Sequence, residues 1–151
     1  MNKVILIENH HLLGRTIVDI LISVFVPLGS NPKIILAKNV LSAEMMFQNH
    51  HHDTDVIFVD AHLEHGDQIT TVNLVRKMKR SFRRPIVGIS TINEVQWDMM
   101  DAGCTHWCDK KDLFYHTNGY NRHPSYPTEP RLWLIYQQLV GEKISSFFSP
   151  N

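Results

Sequence analysis

Short continuous apolar runs alternate along the chain with stretches whose apolar residues recur at helical spacing. The runs 4–7 (Val-Ile-Leu-Ile), 33–37, 56–59, 86–89 and 105–108 read as strands buried on both faces, because none alternates apolar with polar residues. Between them, residues 11–25 place Leu12, Leu13, Ile17, Ile20, Leu21 and Val24 on one helical face. Residues 40–48, 68–80 and 93–101 are the further helices of this half of the chain, the first entered through Asn39. Pro27, Gly29, Ser30, Asn31 and Pro32 supply a turn. Strict strand–helix alternation with short links predicts an α/β fold, a doubly wound five-stranded parallel sheet with right-handed crossovers and helices on both faces.

After Lys110 the pattern changes. Residues 116–127 are rich in Asn, Gly, Pro and Tyr and read as a loop; Thr128-Glu129-Pro130 then opens a helix over 130–146. Its stripe of Leu132, Ile135, Tyr136, Leu139, Val140 and Ile144 has two readings. It packs back onto the same domain, or it docks a partner or a second copy as a homodimer, with Phe147 and Phe148 extending the stripe. The division expected is a domain over 1–114 and a loop plus C-terminal helix over 115–151.

Composition narrows the function classes. The chain has 151 residues, 43% of them apolar and 20% charged, which suits one soluble domain with its own core. A formal charge of +0 provides no global field to recruit nucleic acid or an anionic membrane. Met1-Asn2-Lys3 runs directly into a strand without an h-region or cleavage site, and no apolar stretch is long enough to span a bilayer, so a cytoplasmic protein is expected. Cys104 and Cys108, four residues apart, are expected on the same side of the sheet, too distant to bridge, and reduced.

Candidate chemistry sits at the strand ends. The first run ends on Glu8-Asn9, the third on Asp60, the fourth on Ser90, and the fifth leads to Lys110. In an open parallel sheet these C-terminal ends share one edge, where ligands bind. A carboxylate pair, a hydroxyl and an amine there suit a metal ion and a phosphoryl group. Each group also has a plainer use: Asp60 capping the next turn, Ser90-Thr91 capping the helix at Asn93, Lys110 solvated beside Lys111, and Trp107 packed as core. His50-His51-His52 spread around a helix axis, read as a solvated helix end rather than a metal site. Arg76, Lys77, Lys79, Arg80, Arg83 and Arg84 lie at a helix C-terminus, where cations suit the dipole; no aromatic interleaving marks them for nucleic acid. Glu8-Asn9-His10-His11 stand where a glycine-rich phosphate loop would follow the first strand, which argues against a nucleotide-using enzyme.

Residues 1 to about 114 resemble the receiver domain of two-component response regulators. Glu8-Asn9 match that family's acidic pair, Asp60 its phosphoacceptor, Ser90 its hydroxyl residue and Lys110 its lysine. Asp60-Ala-His-Leu-Glu-His-Gly-Asp-Gln68 is similar to its D-x-x-L-P-x-G-D-G loop, and Trp107 stands at its aromatic switch position. The resemblance implies strand order 2-1-3-4-5. It implies Mg²⁺ held by Glu8 through water, by Asn9, by Asp60 and by the main-chain carbonyl of His62. Lys110 and Ser90 would contact phosphoryl oxygens. The function implied is that of a stand-alone receiver in a phosphorelay, accepting a phosphoryl group on Asp60 and signalling by protein contact; it is no enzyme beyond its own phosphorylation and dephosphorylation. Its partners would be a histidine kinase or phosphotransfer protein and a downstream protein. Departures point to an alternative, a degenerate receiver acting as a phosphorylation-independent interaction module. Asn9 replaces the carboxylate expected to touch Mg²⁺, so metal binding should be weak; Glu64, Gln68 and Lys111 replace a proline, a glycine and a proline; and Trp107 is larger than Tyr or Phe, expected to resist swinging inward.

Overall fold

The computed structural model describes residues 3–25, 31–63 and 71–110. Five strands, β1 (Lys3–Ile7), β2 (Lys33–Ala37), β3 (Val56–Asp60), β4 (Ile86–Ser90) and β5 (His106–Asp109), form one sheet in the order β2-β1-β3-β4-β5. Every pairing is parallel. This is the architecture and strand order expected from the sequence. Reversal of the order beside β1 makes a crevice at the C-terminal edge of β1 and β3, where ligands bind in such sheets.

Four helices connect the strands: α1 (His11–Phe25), α2 (Val40–His50), α3 (Val72–Lys79) and α4 (Gln96–Ala102), the last preceded by a single 3₁₀ turn at Asn93–Val95. Ile17 and Leu21 of α1 pack with Val4, Leu6, Val56, Phe58, Val87, Ile89 and Cys108 on one side of the sheet. On the other side Ala43 of α2, Leu74, Val75 and Met78 of α3, and Met99 and Ala102 of α4 bury Ile5, Ile7, Ile57, Val59 and Ile86. Alternate strand residues thus serve opposite cores, which explains why the strand runs are continuously apolar.

Local signals hold the helices in place. Asn39 and Ser42 form a capping box at α2: Asn39 Oδ1 accepts from Ser42 N at 2.7 Å, and Ser42 Oγ accepts from Asn39 N at 3.1 Å. At the start of α1, His10 Nδ1 accepts from Leu13 N at 3.2 Å. Gly103 ends α4 at a φ of 127°, a conformation that favours glycine, and a Cβ there would lie 2.7 Å from Lys79 Cγ.

Several boundaries shift. The ladder takes in Lys3, Asp60, Ser90 and Asp109, while Thr105 lies outside it. α2 runs two residues further, to His50, with His51 stacked on Phe47 at 4.9 Å, consistent with the helix-end reading of the histidines. Of the helix expected over 68–80, residues 72–79 are helical, and Thr71 precedes them. Glu64, Gln68, Lys111, residues 26–30, the loop expected over 116–127 and the helix expected over 130–146 lie outside the described residues.

One expectation is corrected. Cys104 and Cys108 are both buried and reduced, but they serve opposite cores rather than one side of the sheet. Cys104 precedes β5, so strand alternation does not govern it; burial pushes its thiol up to about 12. Trp107 follows the core reading: it is buried in the core formed by α2, α3 and α4. Gly88 supplies the room, since the two residues are partners across β4 and β5. A Cβ on Gly88 would lie 2.8 Å from Trp107 Cε3 and 3.4 Å from Cys104 Sγ. Gly88→Ala should therefore destabilise the fold by about 1–3 kcal/mol, read as a lowered urea midpoint, and Trp107→Phe in the same chain should recover part of it.

Candidate functional site

Each candidate group stands where its strand leaves the ladder. β1 pairs with β3 as far as Ile7 with Val59, and β3 pairs with β4 as far as Asp60 with Ile89. Glu8 follows β1, Asp60 and Ser90 close β3 and β4, and Lys110 follows β5. All four are buried: Glu8 is 1% exposed, Asp60 3%, Ser90 2% and Lys110 7%.

Lys110 joins the two carboxylates. Its Nζ lies 2.7 Å from Asp60 Oδ2 and 2.8 Å from Glu8 Oε2. The ammonium comes from β5 and crosses the end of β4 to reach groups on β3 and β1, a distance that suits a long unbranched stem. The plain reading of Lys110 as a solvated residue is thereby overturned. Main-chain donors hold the remaining carboxylate oxygens. Asp60 Oδ1 accepts from His62 N at 3.1 Å, and Glu8 Oε1 accepts from His10 N at 3.0 Å. Asp60 does cap its following turn, as the plainer reading had it, yet its second oxygen faces Lys110.

Ser90 Oγ accepts from Ile92 N at 3.0 Å, which makes the turn toward the 3₁₀ segment. Accepting there leaves the hydroxyl proton for a second partner. Asn9 and His62 are half-buried. Three members of the cationic cluster have structural partners: Lys77 pairs with Glu44 at 2.7 Å, Arg76 reaches Asp101 at 3.8 Å, and Arg84 donates to the carbonyls of Thr54 and His52.

One group was not anticipated. Thr71 is fully buried, and its Oγ1 donates to the Asp60 carbonyl at 2.7 Å. Its own N–H donates to the Ala61 carbonyl at 3.0 Å. Nothing in the run Thr70-Thr71-Val72 marks it, because its partner carbonyl lies eleven residues back across the loop.

Two carboxylates around one ammonium carry a formal surplus of one negative charge when all are ionised. Removal from water raises the Glu8 pKa above its ordinary 4.5, the neighbouring Asp60 charge raises it further, and Lys110 partly offsets both. Such a site can take a proton on Glu8 or a further cation. Among the described residues no three His, Cys, Asp or Glu side chains converge to hold a metal, so the available oxygen donors are two carboxylates and neutral groups.

Three solved structures are similar in fold. A response regulator receiver domain protein from Clostridium thermocellum superposes with a TM-score of 0.67 at 12% identity, covering 95% of this chain and 97% of its own. The signal receiver domain of a DNA-binding response regulator from Colwellia psychrerythraea 34H gives 0.67 at 14% identity, covering 93% and 99%. A CheY-like receiver domain from Methylobacillus flagellatus gives 0.64 at 11%, covering 92% and 98%. At such identities the likeness speaks to the fold, and this chain has the receiver fold. No family model and no curated protein matches the sequence. No described helix is long and apolar enough to cross a membrane.

A folded-state pKa above 4.5 means that the folded chain keeps a proton on Glu8 that the unfolded chain has released. Stability contributed by this group is therefore present at low pH and lost as pH rises through the window above 4.5. Glu8→Gln should flatten that decline, read as a smaller drop in urea midpoint between mildly acidic and neutral pH. An unchanged slope would count against a strained Glu8.

Proposed function

We propose that the chain is a response regulator receiver domain that accepts a phosphoryl group on Asp60 and signals by protein–protein contact. The observation that carries this reading is the single buried ammonium shared by two carboxylates at the crevice of a receiver fold. A pure scaffold gains little from such a triad, because burying three charges costs more than their attraction readily returns. Perturbed, paired charges in a crevice are instead characteristic of sites that do chemistry.

The donor would be a phosphohistidine on a kinase or phosphotransfer protein. An Asp60 carboxylate oxygen attacks phosphorus, the P–N bond breaks, an acyl phosphate forms, and the departing imidazole takes up a proton. Lys110 would exchange its contact with Asp60 for one with a phosphoryl oxygen, and the Ser90 proton would serve another. The His62 N–H keeps one Asp60 oxygen oriented.

The donor set fits a hard divalent cation such as Mg²⁺: the carboxylates of Glu8 and Asp60, the Asn9 amide oxygen and the main-chain carbonyl of His62. When bound, the cation would neutralise charge on the phosphoryl oxygens. Asn9 contributes an oxygen without charge, so affinity should be low.

With a small acyl phosphate as donor and Mg²⁺ present, the wild type should acquire one phosphoryl group by mass, and Asp60→Asn should acquire none. Equal labelling of both proteins would sink the reading. Asn9→Asp should tighten Mg²⁺ by about 10–100-fold, read from tryptophan fluorescence. The second reading, a phosphorylation-independent interaction module, is favoured by the neutral Asn9. It predicts no labelling in any variant and no metal response.

A further inference from the structure

We infer that Thr71 is a positioning residue for the Asp60 carboxylate, holding through the main chain the oxygens with which Asp60 would accept a phosphoryl group. This inference rests on the phosphoacceptor reading of Asp60 and deepens it.

The geometry runs through two consecutive peptide units. The first contains the Asp60 carbonyl and the Ala61 N–H. Thr71 Oγ1 donates to that carbonyl at 2.7 Å, and the Ala61 N–H donates to the Ile89 carbonyl of β4 at 2.9 Å. The second unit contains the Ala61 carbonyl and the His62 N–H. The Thr71 N–H donates to that carbonyl at 3.0 Å, while the His62 N–H donates to Asp60 Oδ1 at 3.1 Å. Thr71 therefore holds the carbonyl of both units. The N–H of the second unit is the group that orients the Asp60 side chain.

The β4 side of the ladder holds the first unit only through its N–H, since β3 pairs with β4 as far as Asp60 with Ile89, and on the other side β1 pairs with β3 only as far as Val59, one residue short of Asp60. The Thr71 hydroxyl has one proton, and the 2.7 Å contact with the Asp60 carbonyl claims it. Met99 Sδ, at 3.6 Å, is then a packing neighbour of the hydroxyl. Both Thr71 and Met99 are fully buried, so solvent has no access to replace a lost hydroxyl. Thr71 also precedes α3, with its carbonyl accepting from Val75 N at 2.9 Å. A residue outside the crevice thereby links the helix start to the orientation of the nucleophile.

The test compares Thr71→Val, which keeps shape and loses the donor, with Thr71→Ser, which keeps the donor. Thr71→Cys, a weak donor of similar size, serves as the second variant should Val fail to fold. Phosphorylation by a small acyl phosphate with Mg²⁺ is followed by mass, together with amide hydrogen exchange at Ala61 and His62. Thr71→Val should lower the maximal rate about tenfold with the donor half-saturation unchanged, and Thr71→Ser should restore it to within about twofold. Exchange at His62 should quicken about tenfold in Thr71→Val and not in Thr71→Ser. A folded Val variant with wild-type rate and wild-type exchange would overturn the inference. An unlabelled wild type would instead overturn the phosphoacceptor reading. The exchange data then decide on Thr71 alone: faster exchange at His62 upholds its hold on the main chain, and unchanged exchange ends it.

Discussion

The crevice depends on one ammonium group. Glu8 and Asp60 leave adjacent strands side by side, and both are withdrawn from water. Two unit charges of like sign about 4 Å apart repel by roughly 4 kcal/mol at an effective dielectric of about 20, and desolvation adds to that. Lys110, in ion-pair contact with both, makes their burial tolerable. It does so from two strands away from Asp60, so the balance of charge at β1 and β3 is set by where β5 ends. Glu8 bears the residual strain: its pKa rises through desolvation and Asp60, despite Lys110.

Holding three strand ends in register requires a stiff sheet beneath them. Continuous apolar strands provide it, because each strand feeds one core with odd residues and the other with even ones. β4 shows how tight this packing is. Its Gly88 faces Trp107 of β5, and the indole occupies the space where a side chain at 88 would stand. Large and small residues on neighbouring strands thus substitute for each other's volume. The indole Nε1 is buried among the described residues without a hydrogen-bond partner, a further cost accepted by that packing.

Much of this was legible in the sequence because its signals are local. Apolar runs of four or five residues ending in Glu8, Asp60 and Ser90 announce both the strands and the edge where they finish. Asn39 announces α2 by capping it. The side of Cys104 was misread because it lies before the strand, where alternation has no hold. The room for Trp107 comes from Gly88, nineteen residues earlier and on another strand, which no local signal announces. Thr71 was invisible for the same reason: its partner carbonyl belongs to Asp60, eleven residues back across the loop. For Trp107 and Thr71 the deciding contact is tertiary, and no periodicity encodes it.

The same logic bears on Asn9. A third carboxylate beside Glu8 and Asp60 would tighten a divalent cation, yet without the cation it would add a second uncompensated negative charge to a site served by one ammonium. Desolvation already raises the Glu8 pKa in the existing arrangement. A neutral amide would keep an oxygen for the proposed metal and spare the metal-free fold that repulsion. Metal affinity and stability of the metal-free state are therefore opposed at this position. On the proposed reading, a pocket with Asn9 would trade tight metal binding for carboxylates that stay buried and paired with Lys110 when no metal is present.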